Sequence, residues 1–330
     1  MCTAITLQTY QKTAYLGRTM DFSYPLSPHV WSVPEGCRWR SAPSREELRD
    51  TCGFLAVGQE LDGILAFFDG VNQRGFAAAA LYFAGYARYD DDAERPAGTQ
   101  VASYDFLHYI LGRCGSVEDL RTELEHTYIV GEKDPLTGTV APLHWIAADR
   151  TGACAVLEQT EHGMELYRNP LGTLSNSPDF PWQMTNLRNY LETSPRQTEE
   201  TRWGGVLLTP FGQAGGTVTL PGGFTSPERF VRAAYLKAHV PTPPSPSAAV
   251  NSFFQIMKSV SIPRGAVITA RGTDDSTQYT ALMNLQNGDC FFNTDENPQI
   301  FRVAYPEGPA SPDAPTDLGS LRQPPVFQKL

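Results

Sequence analysis

Short β-prone and apolar runs, punctuated by turn formers, dominate the first half of the chain. Thr3 to Thr9 and Thr13 to Met20 flank Tyr10-Gln11-Lys12 and predict a hairpin. Gly63 to Phe68 and Gly75 to Phe83 are almost continuously apolar and flank Asp69 to Arg74, which predicts two buried strands around a turn. His144 to Ala148 and Ala153 to Glu158 flank the polar turn Asp149-Arg150-Thr151-Gly152. Thr277 to Asn284 and Asp289 to Asn293 flank Asn287-Gly288, a dipeptide suited to a tight hairpin turn.

Helical patterns interrupt these runs. Tyr104 to Leu111 is apolar on one face and stops near Gly112, and Ser116-Val117-Glu118-Asp119 has a Ser cap with an acid three residues on. Trp182 to Leu191 has helical character. Ser226-Pro227-Glu228 predicts a helix with Ser226 as N-cap and Pro227 at its first position, running to about His239 before Pro241. Another helix is expected over Ala248 to Val260, bounded by Pro246 and Pro263. Phe211 to Gly216 is glycine-rich but lacks the P-loop Lys-Ser/Thr and the dinucleotide spacing, so it is read as a tight turn between strands. Pro306 to Leu330 reads as a Pro-rich, poorly packed tail after a single domain over 2–305. Strands and helices without regular alternation, and no internal repeat, indicate an α+β sandwich rather than a doubly wound sheet.

The composition excludes several function classes. The chain has 330 residues, 26 basic and 36 acidic, for a formal charge of −10. Apolar residues make up 41% and charged residues 19%, which is globular rather than disordered. The acidic balance argues against nucleic-acid partners and against anionic membrane surfaces. No run approaches the ~18 apolar residues of a membrane span. Residues 1–8 have neither a basic region nor an apolar core of a secretory signal, so a cytoplasmic location with reduced thiols is expected.

Six cysteines are scattered without a Cys-x-x-Cys pair, and the six histidines are dispersed, so neither a metal, a cofactor nor a disulfide framework is expected. Cys154, among apolar neighbours, reads as a small core residue, and His144 beside Trp145 as structural. Cys2 differs. Removal of Met1 would give it a free α-amino group beside its thiol, and an amine with a pKa of about 7.7–8.0 is a usable base near neutrality. One residue would then supply nucleophile and base. On position alone, Cys2 also reads as an ordinary second residue. Arg18 and Asp21 end the second strand of the first hairpin, which would bring them near Cys2. A cation there favours a thiolate and a carboxylate can hold an amine; alone, the two would read as a solvated surface pair.

Cys2-Thr3-Ala4-Ile5-Thr6-Leu7, followed by Arg18-Thr19-Met20-Asp21-Phe22, resembles the choloylglycine hydrolase family, which includes penicillin V acylases and bile salt hydrolases. Matching stretches run in family order across residues 2 to 305: Asp69-Gly70-Val71-Asn72, Ala79 to Phe83, Leu143-His144-Trp145, Asn176 to Phe180, Phe211-Gly212-Gln213 and Pro227 to Phe230. The resemblance implies an N-terminal nucleophile αββα sandwich, two antiparallel sheets between helical layers. It also implies hydrolysis of a linear amide through an acyl-cysteine on Cys2, with Arg18 and Asp21 positioning the nucleophile and its amine. Asn176 matches the family's oxyanion donor, a type of group whose removal costs on the order of 10²–10³ in rate; read locally, it is an Asx turn. Arg229 matches an active-site arginine, and it opposes the helix dipole in a first turn; read locally, it is an exposed cation. A homotetramer is implied as well, with residues 185 to 205 as the assembly element.

Position 82 departs from the usual bile-salt pattern, Gly-Leu-Asn-Phe-Pro-Gly-Asn-Ala. The chain reads Ala80-Leu81-Tyr82-Phe83-Ala84-Gly85-Tyr86-Ala87, as in the Gram-positive penicillin V acylase branch, and Ala84 replaces the proline. The backbone N–H at 82 can still serve the oxyanion, while the Tyr82 ring suits stacking on a phenoxyacetyl group. Penicillin V and related amides therefore rank ahead of conjugated bile salts, with N-acyl homoserine lactones as a further amide class. From a different class, a non-catalytic amide-binding homologue is weighed against this. A thiol redox protein would need a second cysteine close to Cys2.

Overall fold

The computed structural model describes residues 1–89, 98–305 and 313–327. Its strands in chain order are β1 (Cys2–Gln8), β2 (Ala14–Phe22), β3 (His29–Val33), β4 (Arg38–Arg40), β5 (Glu47–Arg49), β6 (Phe54–Leu61), β7 (Ile64–Asn72), β8 (Phe76–Tyr82), β9 (Thr99–Ala102) and β10 (Thr127–Val130). The second half adds β11 (Leu143–Asp149), β12 (Cys154–Thr160), β13 (Gly163–Arg168), β14 (Thr173–Leu174), β15 (Thr201–Trp203), β16 (Val206–Leu208), β17 (Ser276–Asn284), β18 (Cys290–Thr294), β19 (Phe301–Val303) and β20 (Thr316–Ser320). Five helices accompany them: α1 (Phe106–Leu111), α2 (Val117–Leu124), α3 (Phe180–Asn186), α4 (Ser226–His239) and α5 (Pro246–Lys258).

The strands build two large antiparallel sheets. The first has six strands in the order β14-β1-β2-β17-β18-β19, and the second eight in the order β13-β12-β11-β8-β7-β6-β3-β20. Ala77, Ala79 and Leu81 of β8 face Ala4, Leu16 and Met20 of the first sheet in a core between the sheets. The alternate residues Phe76, Ala78 and Ala80 pack outward on Phe106, Tyr109 and Ile110 of α1. On the far side, Ile5, Leu7, Tyr15 and Leu282 pack under Phe253, Phe254 and Met257 of α5. Both faces of each sheet are thus covered. This explains why β8 reads as a continuous apolar run, since a strand buried on two sides has no polar face to alternate with. The αββα arrangement expected from the resemblance is the one observed.

Several boundaries differ from the sequence pattern for local reasons. The Glu228 carboxylate accepts from the Thr225 N–H at 3.3 Å and from its hydroxyl at 2.6 Å, so Thr225 rather than Ser226 caps α4. Ser245 Oγ accepts from the Ala248 N–H at 3.2 Å, so Pro246 lies inside α5 instead of before it. Ser116 caps α2 as expected, accepting from Asp119 N at 3.0 Å. The glycine-rich Phe211 to Gly216 does not link two strands of a sheet. It follows the exposed β15–β16 hairpin and leads into a short 3₁₀ turn, Gly215–Thr217, within an arm standing off the sandwich.

The expectation of a poorly packed tail needs correction over its described part. β20 pairs antiparallel with β3 as the edge of the eight-stranded sheet, Ser320 opposite His29. Leu321 is fully buried against the inter-sheet core. Proline frequency concealed a short edge strand, a position where Pro-rich flanks are tolerated. Residues 306–312 and 328–330 of that expectation lie outside the described residues. Among the described residues, no helix is long and apolar enough to cross a membrane.

Gly17, in the middle of β2, is a close contact between the first sheet and α5. A Cβ there would lie 2.4 Å from both the Ala281 carbonyl oxygen and Phe253 Cζ. Gly17→Ala is expected to lower unfolding stability by about 1–3 kcal/mol, the cost of overpacking a filled core. A denaturation midpoint unchanged from the parent would contradict this.

Candidate active site

The first hairpin sets the site by register and parity. Cys2 pairs opposite Met20 and Ala4 opposite Arg18, so Cys2, Arg18 and Met20 share the inter-sheet face. Thr3, Thr19 and Asp21 occupy the other face, toward α4. Arg18 and Asp21, three apart, therefore approach Cys2 from opposite sides of the sheet.

On the inter-sheet side Arg18 is fully buried and its Nη2 donates to Cys2 Sγ. Its Nε donates to the Thr19 carbonyl at 2.8 Å, and Nη1 reaches Asp69 Oδ2 at 3.4 Å. The Tyr279 hydroxyl donates to the same Asp69 oxygen at 2.6 Å. Burial opposes charge on Arg18, but Cys2, Tyr279, Asp69 and Asp21 outweigh it and hold its pKa above the ordinary value. Asp69 is pushed up by burial, against the pull of Arg18 and Tyr279. Asp69 and Tyr279 are site residues that sequence reading did not single out, although Asp69 opens one of the matching motifs.

On the α4 side the Arg229 guanidinium gathers the backbone and the polar residues. Nη1 donates to the Cys2 carbonyl at 2.6 Å and to Thr3 Oγ1, and Nη2 to Asn176 Oδ1 at 2.7 Å. Asp21 Oδ2 lies 3.6 Å from Nη1. This is a buried hub rather than an exposed helix cation, and burial lowers the Arg229 pKa against Asp21, Cys2 and Asp275. Asp21, also fully buried, is raised by burial; Arg229, the chain's amino group, Thr277 and Arg18 counter this. Thr277 Oγ1 donates to Asp21 Oδ1 at 2.6 Å and Thr19 Oγ1 approaches Oδ2 at 3.2 Å. Thr277, on β17 directly opposite Asp21, was not foreseen either.

Asn176 joins the two halves. Its Oδ1 accepts from the Cys2 N–H at 2.6 Å as well as from Arg229, and its Nδ2 donates to the Tyr82 carbonyl at 2.7 Å. Two donors on Oδ1 fix the orientation of the amide, and the second hydrogen on Nδ2 remains free for a further acceptor. Ser175 Oγ donates to the Cys2 carbonyl at 3.1 Å.

Tyr82 ends β8. The Phe83 N–H donates to the Pro142 carbonyl at 2.6 Å, so the Tyr82 N–H and C=O point to the opposite edge of the strand. The β7–β8 ladder stops at Asp69–Ala79, which leaves that edge open at Tyr82. Its carbonyl takes Asn176, and its N–H has no ladder partner. The turn after it closes without the missing proline: Gly85 has φ +84°, and the Ser177 hydroxyl holds the Ala84 carbonyl at 2.7 Å. His144 stacks on Phe83 at 4.2 Å and pairs with Glu158 at 3.0 Å, which also receives the Phe180 N–H. These contacts are structural.

Cys2 and Arg18 form the floor of a mainly apolar cleft of about 870 Å³, counting its open mouth. Met20, Phe22, Leu26, Phe68, Tyr82, Leu136 and Leu143 line its walls. The Tyr82 and Phe22 ring centres lie 6.3 Å apart. The Met1 amino group bonds to the Asp21 backbone carbonyl and to the half-buried carboxylate of Asp275, Oδ1 at 3.3 Å. Among the described residues, no cluster of three or more His, Cys, Asp or Glu could hold a metal ion. The arrangement presents a sulfur held by a cation at the start of the chain, two N–H donors and an apolar cleft. Together these can perform acyl transfer from an amide.

The other five cysteines are buried, and burial raises Cys37 to about 11 and Cys154 to about 12, and drives Cys114 and Cys290 up as well. Native protein at pH 8 should take up one equivalent of iodoacetamide per chain, in the amino-terminal peptide containing Cys2. Labelling spread over several cysteines would contradict this reading of the site.

Comparisons with known proteins bear on the family and the fold. The family model of linear amide C–N hydrolases, choloylglycine hydrolase family, matches residues 2–307. A bile salt hydrolase/transferase of Clostridium perfringens is 34% identical over 305 residues, 91% of either chain. The crystal structure of the mutant C2A conjugated bile acid hydrolase of that organism superposes with a TM-score of 0.90 at 29% identity, covering 100% of both chains. A penicillin V acylase of Pectobacterium atrosepticum is 24% identical, covering 87% of this chain and 75% of its own. The fold is that of the N-terminal nucleophile hydrolases, and the chain belongs to the choloylglycine hydrolase family, hydrolases of linear amide C–N bonds.

Proposed function

We propose that the chain hydrolyses conjugated bile salts, releasing glycine or taurine, through an acyl-cysteine on Cys2. The observation that carries this reading is the apolar cleft ending at Cys2 Sγ, walled by aliphatic side chains on several sides. Similarity to bile salt hydrolases at 34% identity, against 24% for a penicillin V acylase, supports the same substrate. This reverses the order drawn from Tyr82 alone. Position 82 supplies one wall, whereas Leu26, Phe68, Leu136 and Leu143 offer a broad apolar surface suited to a sterane face.

In the proposed reaction, Met1 is removed and the freed Cys2 amine takes the thiol proton. Sγ, steadied by Arg18, adds to the amide carbonyl. The Tyr82 N–H and the unused Asn176 hydrogen receive the oxyanion. Collapse breaks the C–N bond, and the amine leaves with the proton held by the Cys2 amine. Water, deprotonated by the same amine, then cleaves the thioester and returns the carboxylate and free thiol. Arg229 and Asp21 act on Cys2 and Asn176, holding the strand end in place. No metal or organic cofactor enters these steps. We also keep the expectation of a cytoplasmic enzyme, where the thiol stays reduced.

A second reading, cleavage of penicillin V to phenoxyacetate and 6-aminopenicillanic acid, is favoured by the Tyr82–Phe22 aromatic wall. Rates on glycocholate, taurocholate and penicillin V, measured side by side, decide between them. Higher kcat/KM on the bile salts is expected; higher kcat/KM on penicillin V would establish the second reading instead.

Assembly is proposed on the exposed arm. Leu191, Trp203, Val206, Leu207 and Phe211 all present large apolar surface to solvent, within and just beyond residues 185 to 205. A homotetramer covering these arms is expected by light scattering. Replacing Trp203 and Leu207 together with Glu should shift the mass toward single chains, and a monomeric parent would refute the assembly.

A further inference from the structure

The proposed reaction develops its negative charge against two donors on different segments, the Tyr82 N–H at the end of β8 and Asn176 Nδ2 in the loop after β14. Such donors act on one oxygen only when their separation is held. In front, Asn176 Nδ2 bonds the Tyr82 carbonyl and the Ser177 hydroxyl bonds the Ala84 carbonyl, both at 2.7 Å. Behind them, a buried acid and a buried imidazole that the chemistry does not use tie the same two segments.

Glu158 on β12 and His144 on β11 are both fully buried. Glu158 Oε1 lies 3.0 Å from His144 Nδ1, and the Phe180 N–H donates to both Glu158 oxygens, at 3.0 and 3.1 Å. A carboxylate only accepts, so His144 donates from Nδ1. Its Nε2 is buried without a hydrogen-bond partner, which leaves the ring no route for proton transfer to the cleft. One path runs from Glu158 toward each donor. His144 lies flat on Phe83, with ring centres 4.2 Å apart and planes 6° from parallel, and Phe83 directly follows Tyr82. Phe180 opens α3, and Gln183 of that helix donates to the Asn176 carbonyl at 3.2 Å. The same Gln183 nitrogen reaches Ser226 Oγ at 3.3 Å, at the start of the helix that carries Arg229. An apolar pair of equal volume would fill the space at lower desolvation cost, but it would not orient two segments from one point.

We propose that Glu158 is a positioning residue for the hydrolysis. Through His144 and Phe83 it sets the Tyr82 N–H, and through Phe180 and α3 it sets Asn176, so one carboxylate fixes the spacing of the two oxyanion donors. The inference rests on the oxyanion role proposed for those donors and goes beyond it to what holds them.

The test uses Glu158→Gln and His144→Phe, each alone and combined with Asn176→Ala, on whichever of glycocholate, taurocholate and penicillin V the parent cleaves fastest. Glu158→Gln keeps the size of the side chain but turns an NH2 group toward N–H donors. Its kcat should fall about 10–100-fold, the order expected when reacting geometry slips by about 1 Å, with KM within about twofold of the parent. His144→Phe keeps a ring on Phe83 and loses the bond to Glu158, and should lower kcat about tenfold. Alkylation of Cys2 by iodoacetamide forms no oxyanion, so its rate should stay within about twofold of the parent in both variants. In the Asn176→Ala background, Glu158→Gln should cost less than about threefold in kcat, because one of the donors it positions is gone. An unchanged kcat in Glu158→Gln, an equal loss with and without Asn176, or Cys2 alkylation slowed as much as kcat would each overturn the assignment. Should Glu158→Gln fail to fold, His144→Phe decides by the same comparisons. Asn176→Ala with the parent's kcat would remove the oxyanion role, and this inference with it; a slowed Asn176→Ala beside an unaffected Glu158→Gln overturns this inference alone.

Discussion

Four buried charges around one short strand are the constraint on which the site depends. Arg18 and Asp69 lie on one face of β1, and Arg229 and Asp21 on the other, all at 0–3% exposure. Burying such pairs seldom adds net stability, because desolvation of each ion is costly, while removing one partner strands the other. The hairpin register prevents that outcome by bringing both pairs to Cys2 together. Arg18 and Asp21 can be three residues apart and still serve opposite faces, because side chains on a strand alternate. At Gly17 the same strand also packs directly against Phe253 of α5.

Asn176 turns these two charge clusters into one site. It receives Arg229 and the Cys2 N–H on its oxygen, and reaches across to Tyr82 with its nitrogen. The second sheet is thereby tied to the first at the reacting sulfur. The open edge at Tyr82 exists because β7 pairs with β8 only from Asp69 onward, so the residue that supports Arg18 also marks where the cleft begins. Fold, charge placement and substrate space meet over a few residues of β7 and β8.

Much of this could be read from the chain alone, and the exceptions have physical causes. The first hairpin and the β7–β8, β11–β12 and β17–β18 pairs stand out because both faces of each sheet are covered, which makes the strands apolar without interruption. Cys2, Arg18, Asp21, Asn176 and Arg229 are found through motifs, and the structure gathers them. Asp69, Tyr279 and Thr277 are missed because their partners arrive across sheet pairings: Thr277 and Tyr279 lie on β17, more than 250 residues from the hairpin they support. A threonine or tyrosine on a strand looks the same whether it packs or orients a charge. β20 escapes notice because a short edge strand can sit among prolines. Tyr82 shows a different limit, since one side chain describes one wall of a cleft that other walls redefine.

The central claim is that a mature amino-terminal Cys2 carries the acyl group. Intact-mass spectrometry of a reaction quenched with acid during turnover of a conjugated bile salt tests it most directly. The account predicts a chain lacking Met1 whose mass is increased by the cholyl group, with the adduct on Cys2. An active chain that retains Met1, or turnover with the acyl group on another residue, would contradict it.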